Sequence, residues 1–169
     1  MSLLYTNASI DGTKFIDNIA KQINHGISLI NSHLNASNIQ VNYYNTDYLK
    51  GGAAVDSGFF SVNYQSNLIL TQRSVIQNTR GSQSSAISLL GGSSLLVDNG
   101  TQFLQTQSQT GGATITIIQG NNVRISNASF QSSNQYDLYI DRTTVRIANS
   151  TFLSSALQSI YALRSTLII

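Results

Sequence analysis

The feature that most constrains this chain is a motif that returns at a regular interval near its end. Residues 123–130 and 145–152 share the order apolar, x, apolar, x, Asn, x, Ser or Thr, Phe, and a third copy opens at Leu167, as far after Val145 as Val145 is after Val123. Self-similarity with a fixed period of about 20–50 residues is the sequence signature of a repeat fold. The chain is therefore expected to stack equivalent units along one axis.

Further copies of the motif, with looser spacing, precede these three. They start at Ala8, Ile27, Leu68 and Leu95. The interval from Ile27 to Leu68 is much longer than any other interval between successive copies. It predicts one degenerate or looped-out coil between Asn35 and Tyr64.

A second apolar pair precedes several copies and adds another strand to each unit. Leu138 and Ile140 come before Val145, and the pair Ile160 and Ala162 stands at the same distance before Leu167. Alternation with period 2 places the apolar side chains on one face of a strand and the Arg, Ser and Thr side chains on the other. Each coil is thus predicted to contain, in order, a strand, a tight polar turn and a second strand. An Asn then turns a corner, and a short apolar segment that includes the Phe follows.

The composition suits continuous parallel sheets. The chain contains no Pro, and only 9% of its residues are charged, against about 25% in ordinary globular domains. A Pro would remove a ladder donor from every coil that it entered. Like charges stacked about 4.8 Å apart would repel each other, whereas Asn, Ser and Thr form hydrogen bonds along the stack.

Two other repeat folds fit less well. In leucine-rich repeats the Asn follows the Leu-x-Leu pair by three residues, whereas here it follows the apolar pair by two, and no segment suits a convex helix. A left-handed hexapeptide helix needs a period of six, which is missing. The sequence therefore predicts an all-β fold, a right-handed parallel β-helix of about seven coils with a period of about 22–28 residues.

The repeats also resemble those of a known structural family. The motif is followed by polar residues at 131–134 and 153–156, and Gly-Gly-Ala segments stand at 51–53 and 111–113. In these features the chain is similar to the right-handed β-helix repeats of pectin-lyase-like proteins, and more narrowly to large ciliate cell-surface proteins and bacterial polymorphic outer-membrane passenger domains. The resemblance implies the β-helix fold and leaves the activity open, because such repeats serve lyases, adhesins and fibres alike.

Charge and hydropathy argue against two classes of partner. The net charge is +2, and the Lys and Arg residues are scattered singly, unlike the basic stripe with interleaved aromatic residues of single-strand binders. No run of about 18 apolar residues is present for a membrane span. The sequence therefore predicts neither nucleic-acid binding nor a membrane span, and nothing divides residues 1–169 into more than one domain.

The search for a catalytic or metal site is mostly negative. Hydrolysis of sugars needs two carboxylates about 5–9.5 Å apart. The acidic residues are isolated in the sequence: Asp11, Asp17, Asp47, Asp56, Asp98, Asp137 and Asp141. Asp137 and Asp141 flank one strand, where capping of turns is the expected role, and His25 and His33 lie outside any metal-ligand spacing. We expect no enzyme activity, no cofactor and no metal, with a calcium site built by Asp residues of several coils as the open alternative.

Five Asn-x-Ser/Thr sequons occur in the chain. They stand at Asn7, Asn35, Asn99, Asn127 and Asn149. Sequons suggest a glycosylated extracellular protein, yet a chain this rich in Asn, Ser and Thr would show roughly four by chance. If Asn127 and Asn149 form an inward ladder at a corner, they cannot carry glycans.

Two classes of function remain. The favoured one is a structural or adhesive module without catalysis, part of a large extracellular or cell-surface protein or fibre, with partners among the other proteins of the assembly and glycans. The alternative is a carbohydrate-binding or carbohydrate-active β-helix, whose groove would be lined by Tyr43, Tyr44, Asp47 and Tyr48. A structural role for these tyrosines, covering an apolar coil edge, competes with that alternative.

Both ends of the sequence are apolar. Apolar residues stand at 3–5 near the start and at 167–169 at the end, and neither segment carries Pro or a cluster of charge. Soluble solenoids cap their terminal coils to stop the strand edges from pairing with other chains. We therefore expect these residues to form part of a longer solenoid, or copies of the chain to stack end to end.

Overall fold

A computed structural model describes residues 1–21, 26–47, 58–81, 83–108 and 111–169, and the side chains of all of these except 18–21 and 43–47. Every regular element in these ranges is a β-strand, and the strands pair in parallel within three sheets. Period-2 alternation explains this arrangement, because each strand turns its Val, Ile, Leu and Phe side chains toward a common interior.

The three sheets each take one strand from nearly every coil. The first sheet contains, in spatial order, β1 (Ser2–Leu4), β4 (Ile27–Ile30), β7 (Phe60–Asn63), β10 (Ser84–Leu90), β14 (Ala113–Ile118), β17 (Tyr136–Asp141) and β20 (Ile160–Leu163). The second contains β2 (Asn7–Asp11), β5 (His33–Ser37), β8 (Asn67–Thr71), β11 (Ser94–Val97), β15 (Val123–Ser126), β18 (Thr144–Ala148) and β21 (Thr166–Ile168). The third contains β3 (Lys14–Lys21), β6 (Gln40–Asp47), β9 (Val75–Gly81), β12 (Gln102–Leu104), β16 (Ser129–Gln131) and β19 (Thr151–Leu153), and β13 (Gln107–Ser108) also pairs with β9.

Successive strands of one sheet come from successive coils, so the chain winds through the three sheets in turn. The first and second sheets have seven strands each. The prediction of an all-β parallel β-helix with about seven coils is therefore confirmed.

The motif copy predicted to start at Ile27 does not lie in the same sheet as the other copies. Ile27 pairs with Phe60 in the first sheet, whereas the residue of the second sheet that pairs with both Ala8 and Leu68 is Leu34. Successive coils of the second sheet therefore run from Ala8 to Leu34 and from Leu34 to Leu68. One coil longer than the predicted period occupies the second interval, so no degenerate coil is stacked between β5 and β8. The predicted looped-out alternative would fall in residues 48–57, outside the described residues.

The interior consists of columns of stacked apolar side chains. Val123, Val145 and Leu167 lie in register in the second sheet. Phe130 stacks on Phe152 in the third sheet with ring centroids 4.8 Å apart. The equivalent units predicted from the repeat therefore stack, and full burial of such a side chain contributes about 1.5–3 kcal/mol.

The corners between sheets contain two kinds of residue: exposed residues with left-handed backbone conformation, and buried residues whose side chains carry hydroxyl groups. Asn127 and Asn149 turn the corner after the second sheet with φ of 48° and 47°, and both are exposed. At the preceding corner the backbone N–H of Ser32 donates to Ser66 Oγ at 3.1 Å, and the N–H of Ser66 donates to Ser93 Oγ at 3.2 Å. These bonds join one coil to the next where no strand ladder runs, and they satisfy backbone donors that burial would otherwise leave unpaired.

Candidate functional site

The side chains of the predicted binding residues lie outside the described part of the structure. Tyr43, Tyr44 and Asp47 belong to β6, where the backbone of Asp47 pairs with Lys21 of the coil before it. The side chains of these three residues are not among those described, and Tyr48 lies outside the described residues altogether. The predicted groove therefore stays a prediction.

A different group of tyrosines forms a surface patch, which we call the tyrosine cluster. It consists of Tyr136, Tyr139 and Tyr161. Tyr139 lies on the outer face of the first sheet, because its neighbours Leu138 and Ile140 are buried. The ring of Tyr161 lies 5.5 Å from that of Tyr139, which precedes it in register, and 5.3 Å from that of Tyr136.

The tyrosine cluster adjoins a cavity of about 230 Å³ on the same face. Gln83, Gly111, Thr116, Ile118 and Tyr139 line this cavity. The Thr116 hydroxyl donates to the Gln83 carbonyl oxygen at 2.8 Å, which holds the cavity wall in place. Stacked aromatic rings beside a cavity with both polar and apolar walls are suited to the C–H face and hydroxyl groups of a sugar ring.

Repeat spacing carried a signal for the tyrosine cluster that the sequence reasoning missed. Tyr139 stands at the same distance before Val145 as Tyr161 does before Leu167, so the two tyrosines occupy one offset of the repeat. Residues at the same offset in adjacent coils lie next to each other, because parallel strands in register place them one strand spacing apart. Tyr136 carries no such signal, because it contacts Tyr161 from a different offset.

An ion-paired group lies next to this face, at the corner between the first and second sheets. Asp141 accepts contacts from Arg142 Nη2 and Arg164 Nη2, each at 3.0 Å, and only 7% of its side chain is exposed. The two arginines come from adjacent coils, so the carboxylate bridges them. Its charge is therefore engaged by guanidinium groups on two coils.

Asp137 lies in a buried polar pocket at the corner between the third and first sheets. The residue has no exposed surface, and its Oδ2 accepts a hydrogen bond from the Ser155 hydroxyl, which also contacts Ser159 Oγ at 3.2 Å. Within the described residues Oδ1 has no hydrogen-bond partner, and neither has the buried Ser133 Oγ. Burial raises the pKa of the Asp137 carboxyl above its ordinary value of 3.8, and the Ser155 hydroxyl opposes that shift.

The two acids that flank β17 do more than cap turns. Asp141 bridges coils through arginines, and Asp137 binds a serine of the following link. Over the described ranges no group of three or more His or Asp side chains gathers to hold a metal ion. Asp98 behaves differently from both acids, because its pKa is lowered by the Asn127 side-chain amide, which donates to Oδ1 at 2.8 Å.

Comparison with known proteins gives no family assignment. No protein-family model and no curated protein sequence matches the chain. In the part of the chain that the structure describes, none of the elements is a helix with the length and apolar character needed to cross a bilayer.

Proposed function

We propose that this chain is a structural or adhesive β-helix module of a larger extracellular or cell-surface protein or fibre. The observation that carries the proposal is the continuous parallel ladder, which runs through all seven strands of both the first and the second sheet. Interior columns and inter-coil hydroxyl bonds join each coil to the next. A rod built in this way holds repeated polar groups at fixed spacing, which suits multivalent contact with other molecules.

The finer fold assignment is also a proposal. We assign the helix a right-handed sense, because crossovers between parallel strands are right-handed in about 98% of cases. The stacked Phe column and the left-handed Asn corners support a helix of the pectin-lyase-like type, which the repeats resemble.

The two acids of β17 support a role without catalysis. Asp137 has no exposed surface, so a substrate cannot reach it, and Asp141 is neutralised by two arginines. Glycoside hydrolysis requires one carboxyl group as acid and a second carboxylate as base or nucleophile, both reaching the same bond.

The partners proposed for the rod are further solenoid coils or other proteins of the same assembly. Phe15 of the first described coil packs against the core but is only partly buried. The same is true of Phe152 and Leu167 in the last coils. Another β-helix segment, from the same polypeptide or a second copy, would cover these side chains and continue the ladders.

The test separates binding from turnover on a panel of acidic and neutral polysaccharides. We expect the protein to release no reducing ends and no unsaturated products, whether or not it is retained on the polymers. Product release that disappears in an Asp47→Ala variant would contradict the structural function and favour a carbohydrate-active one. Antibody labelling of intact cells checks the proposed surface location independently.

The tyrosine cluster favours carbohydrate binding as the second candidate function. A Tyr161→Ala variant should weaken retention on a neutral polysaccharide, since it removes the ring that contacts both Tyr136 and Tyr139. Tyr64→Ala is the matched control, because Tyr64 is 65% exposed and lies several coils away. Equal retention of the two variants and the unchanged protein would remove this candidate.

A further inference from the structure

Two pairs of arginines occupy equivalent positions of adjacent coils, and only one of the pairs has a carboxylate between its members. Arg142 and Arg164 stand at the corner between the first and second sheets, with the carboxylate of Asp141 between them. Arg124 and Arg146 lie in direct register on β15 and β18, on the outer face of the second sheet. We call these two residues the arginine pair.

The arginine pair has no counter-charge of its own. Both residues are exposed, and across the described residues neither guanidinium forms an ion pair or a hydrogen bond. Like charges directly opposite each other in neighbouring strands are destabilising. Charged residues make up only 9% of the chain, so a column of two arginines is unusual in it.

Asp141 shows which chemical group satisfies two stacked arginines in this fold. Its carboxylate receives Nη2 of Arg142 and of Arg164 at 3.0 Å each, and Nε of Arg164 at 3.2 Å. The planar guanidinium presents several donors that match the two oxygens of a carboxylate or sulfate. We propose that the arginine pair binds a carboxylate or sulfate group of an acidic glycan, in the place that Asp141 fills for the other pair.

The surroundings of the arginine pair favour a glycan over other polyanions. β15 and β18 are paired on both sides, so a peptide cannot add to them as a strand. Membrane surfaces are recognised by clusters of about four to eight basic residues, and duplex DNA by a larger positive surface. The exposed Thr144 flanks the pair with a hydroxyl group suited to sugars, whereas the hydroxyl of the half-buried Ser126 is bonded to the Asp98 carboxylate.

The column that contains the arginine pair limits the site to one acidic group. Leu96 precedes Arg124 in register, and Ile168 follows Arg146. Neither neighbour offers a charge, so one carboxylate or sulfate with an apolar sugar face on either side fits the column. The proposal rests on the adhesive function proposed above, to which it adds a ligand.

The experiment measures the affinity of the protein for immobilised dextran sulfate, alginate, neutral dextran and polyglutamate. We expect binding to dextran sulfate or alginate, weakening as salt is raised, and none to neutral dextran. Arg124→Gln or Arg146→Gln should each lower the affinity about fivefold, the effect expected for one exposed charge pair of about 1 kcal/mol. Comparison of the sulfated and carboxylated polymers identifies the acidic group.

Arg142→Gln is the matched control, because it removes the same charge from a pair whose guanidinium groups Asp141 already engages. It should change the affinity less than about twofold. An Asp141→Asn variant, shown to be folded by circular dichroism, should raise the amount of polymer bound, because it frees the second arginine pair. Unchanged binding by that folded variant would contradict the role given to stacked arginines.

Three further results would overturn the proposal. They are absence of binding to both acidic glycans, equal losses for Arg142→Gln and Arg146→Gln, and polyglutamate binding as tight as glycan binding. Polysaccharide turnover would instead overturn the structural function, and it would leave the effect of the arginine variants on affinity unchanged.

Discussion

At the scale of single residues, the helix depends on side chains that tolerate a left-handed backbone at its corners. These positions hold Asn149, Arg142, Gln119 and Ser132, with φ between 47° and 61°. Such a conformation costs most residues about 1–2 kcal/mol, and Asn bears it better than other non-glycine residues. The corner residues therefore hold the coil in shape at some cost in stability.

Substitutions at Asn149 test this conclusion. Asn149→Ala should lower the free energy of unfolding by about 1 kcal/mol, because Ala bears the full penalty for positive φ. Asn149→Gly should be close to neutral, because glycine adopts this conformation freely. Urea denaturation of both variants gives the comparison, and equal losses would show that the backbone conformation is not the cause.

The buried carboxyl of Asp137 gives the protein a pH dependence of defined sign. Its pKa is raised above 3.8 in the folded protein, so the folded state holds the proton more strongly than the unfolded chain does. Stability that is present below pH 3.8 should therefore fall as the pH rises through the raised pKa.

An Asp137→Asn variant isolates this effect from the other acids, including Asp98, whose lowered pKa acts in the opposite direction. The variant should lack the fall in stability and should be more stable than the unchanged protein by about 1–3 kcal/mol at neutral pH, because it no longer buries a charged carboxylate whose Oδ1 has no hydrogen-bond partner among the described residues. Melting temperatures measured across the acidic range check it. Parallel curves for the two proteins would rule out Asp137 as the source.

At the scale of elements, alternation predicted the strands but not the sheet to which each belongs. Ile27 and Leu34 begin strands of different sheets within one coil, and both strands show the same apolar alternation. The corners that separate them carry no consensus residue, because Asn31, Gln119 and Arg142 all turn the same corner. Sequence alone therefore identifies coils well only where the repeat is strict.

Candidate sites depend on register as well as on sequence. Tyr139 and Tyr161 were predictable from their shared offset in the repeat. The bridge between Asp141 and Arg164 was not, because it joins different offsets of adjacent coils through long side chains. The same holds for Asp137 and Ser155, which meet only because the link after β19 covers the corner before β17.

The Phe column provides a test of packing at this scale. Phe103, Phe130 and Phe152 stack with ring centroids 4.8 Å apart, and Phe130 has no exposed surface. Phe130→Ala should cost about 3–5 kcal/mol, since it leaves a cavity between two rings that cannot close. Phe152→Ala should cost less, because Phe152 is only partly buried. Chemical denaturation measures both, and similar losses would contradict a closed column at Phe130.

At the scale of the whole molecule, the outermost described strands determine how the rod meets its neighbours. Among the described strands β21 pairs with β18 only, and its residue Ile168 is 43% exposed and in register with Arg146. An unpaired apolar strand is a template for association with another chain, and charge on such a strand opposes it. Residues 1–169 produced alone should therefore self-associate at micromolar concentration, and a charge at Ile168 should reduce that association.

The sign of that charge distinguishes two effects in one experiment. Ile168→Lys extends the column of Arg124 and Arg146, so it should improve solubility but lower stability through repulsion in register. Ile168→Glu should reduce association equally. The protein should keep its stability, because the new carboxylate can form an ion pair with Arg146, as Asp141 does with Arg164. The substitution should also weaken binding to acidic glycans, since it supplies the missing counter-charge from within the chain. Sedimentation velocity and dextran sulfate binding measure these outcomes, and an unmodified protein that sediments as a stable monomer would disprove the role of the β21 edge.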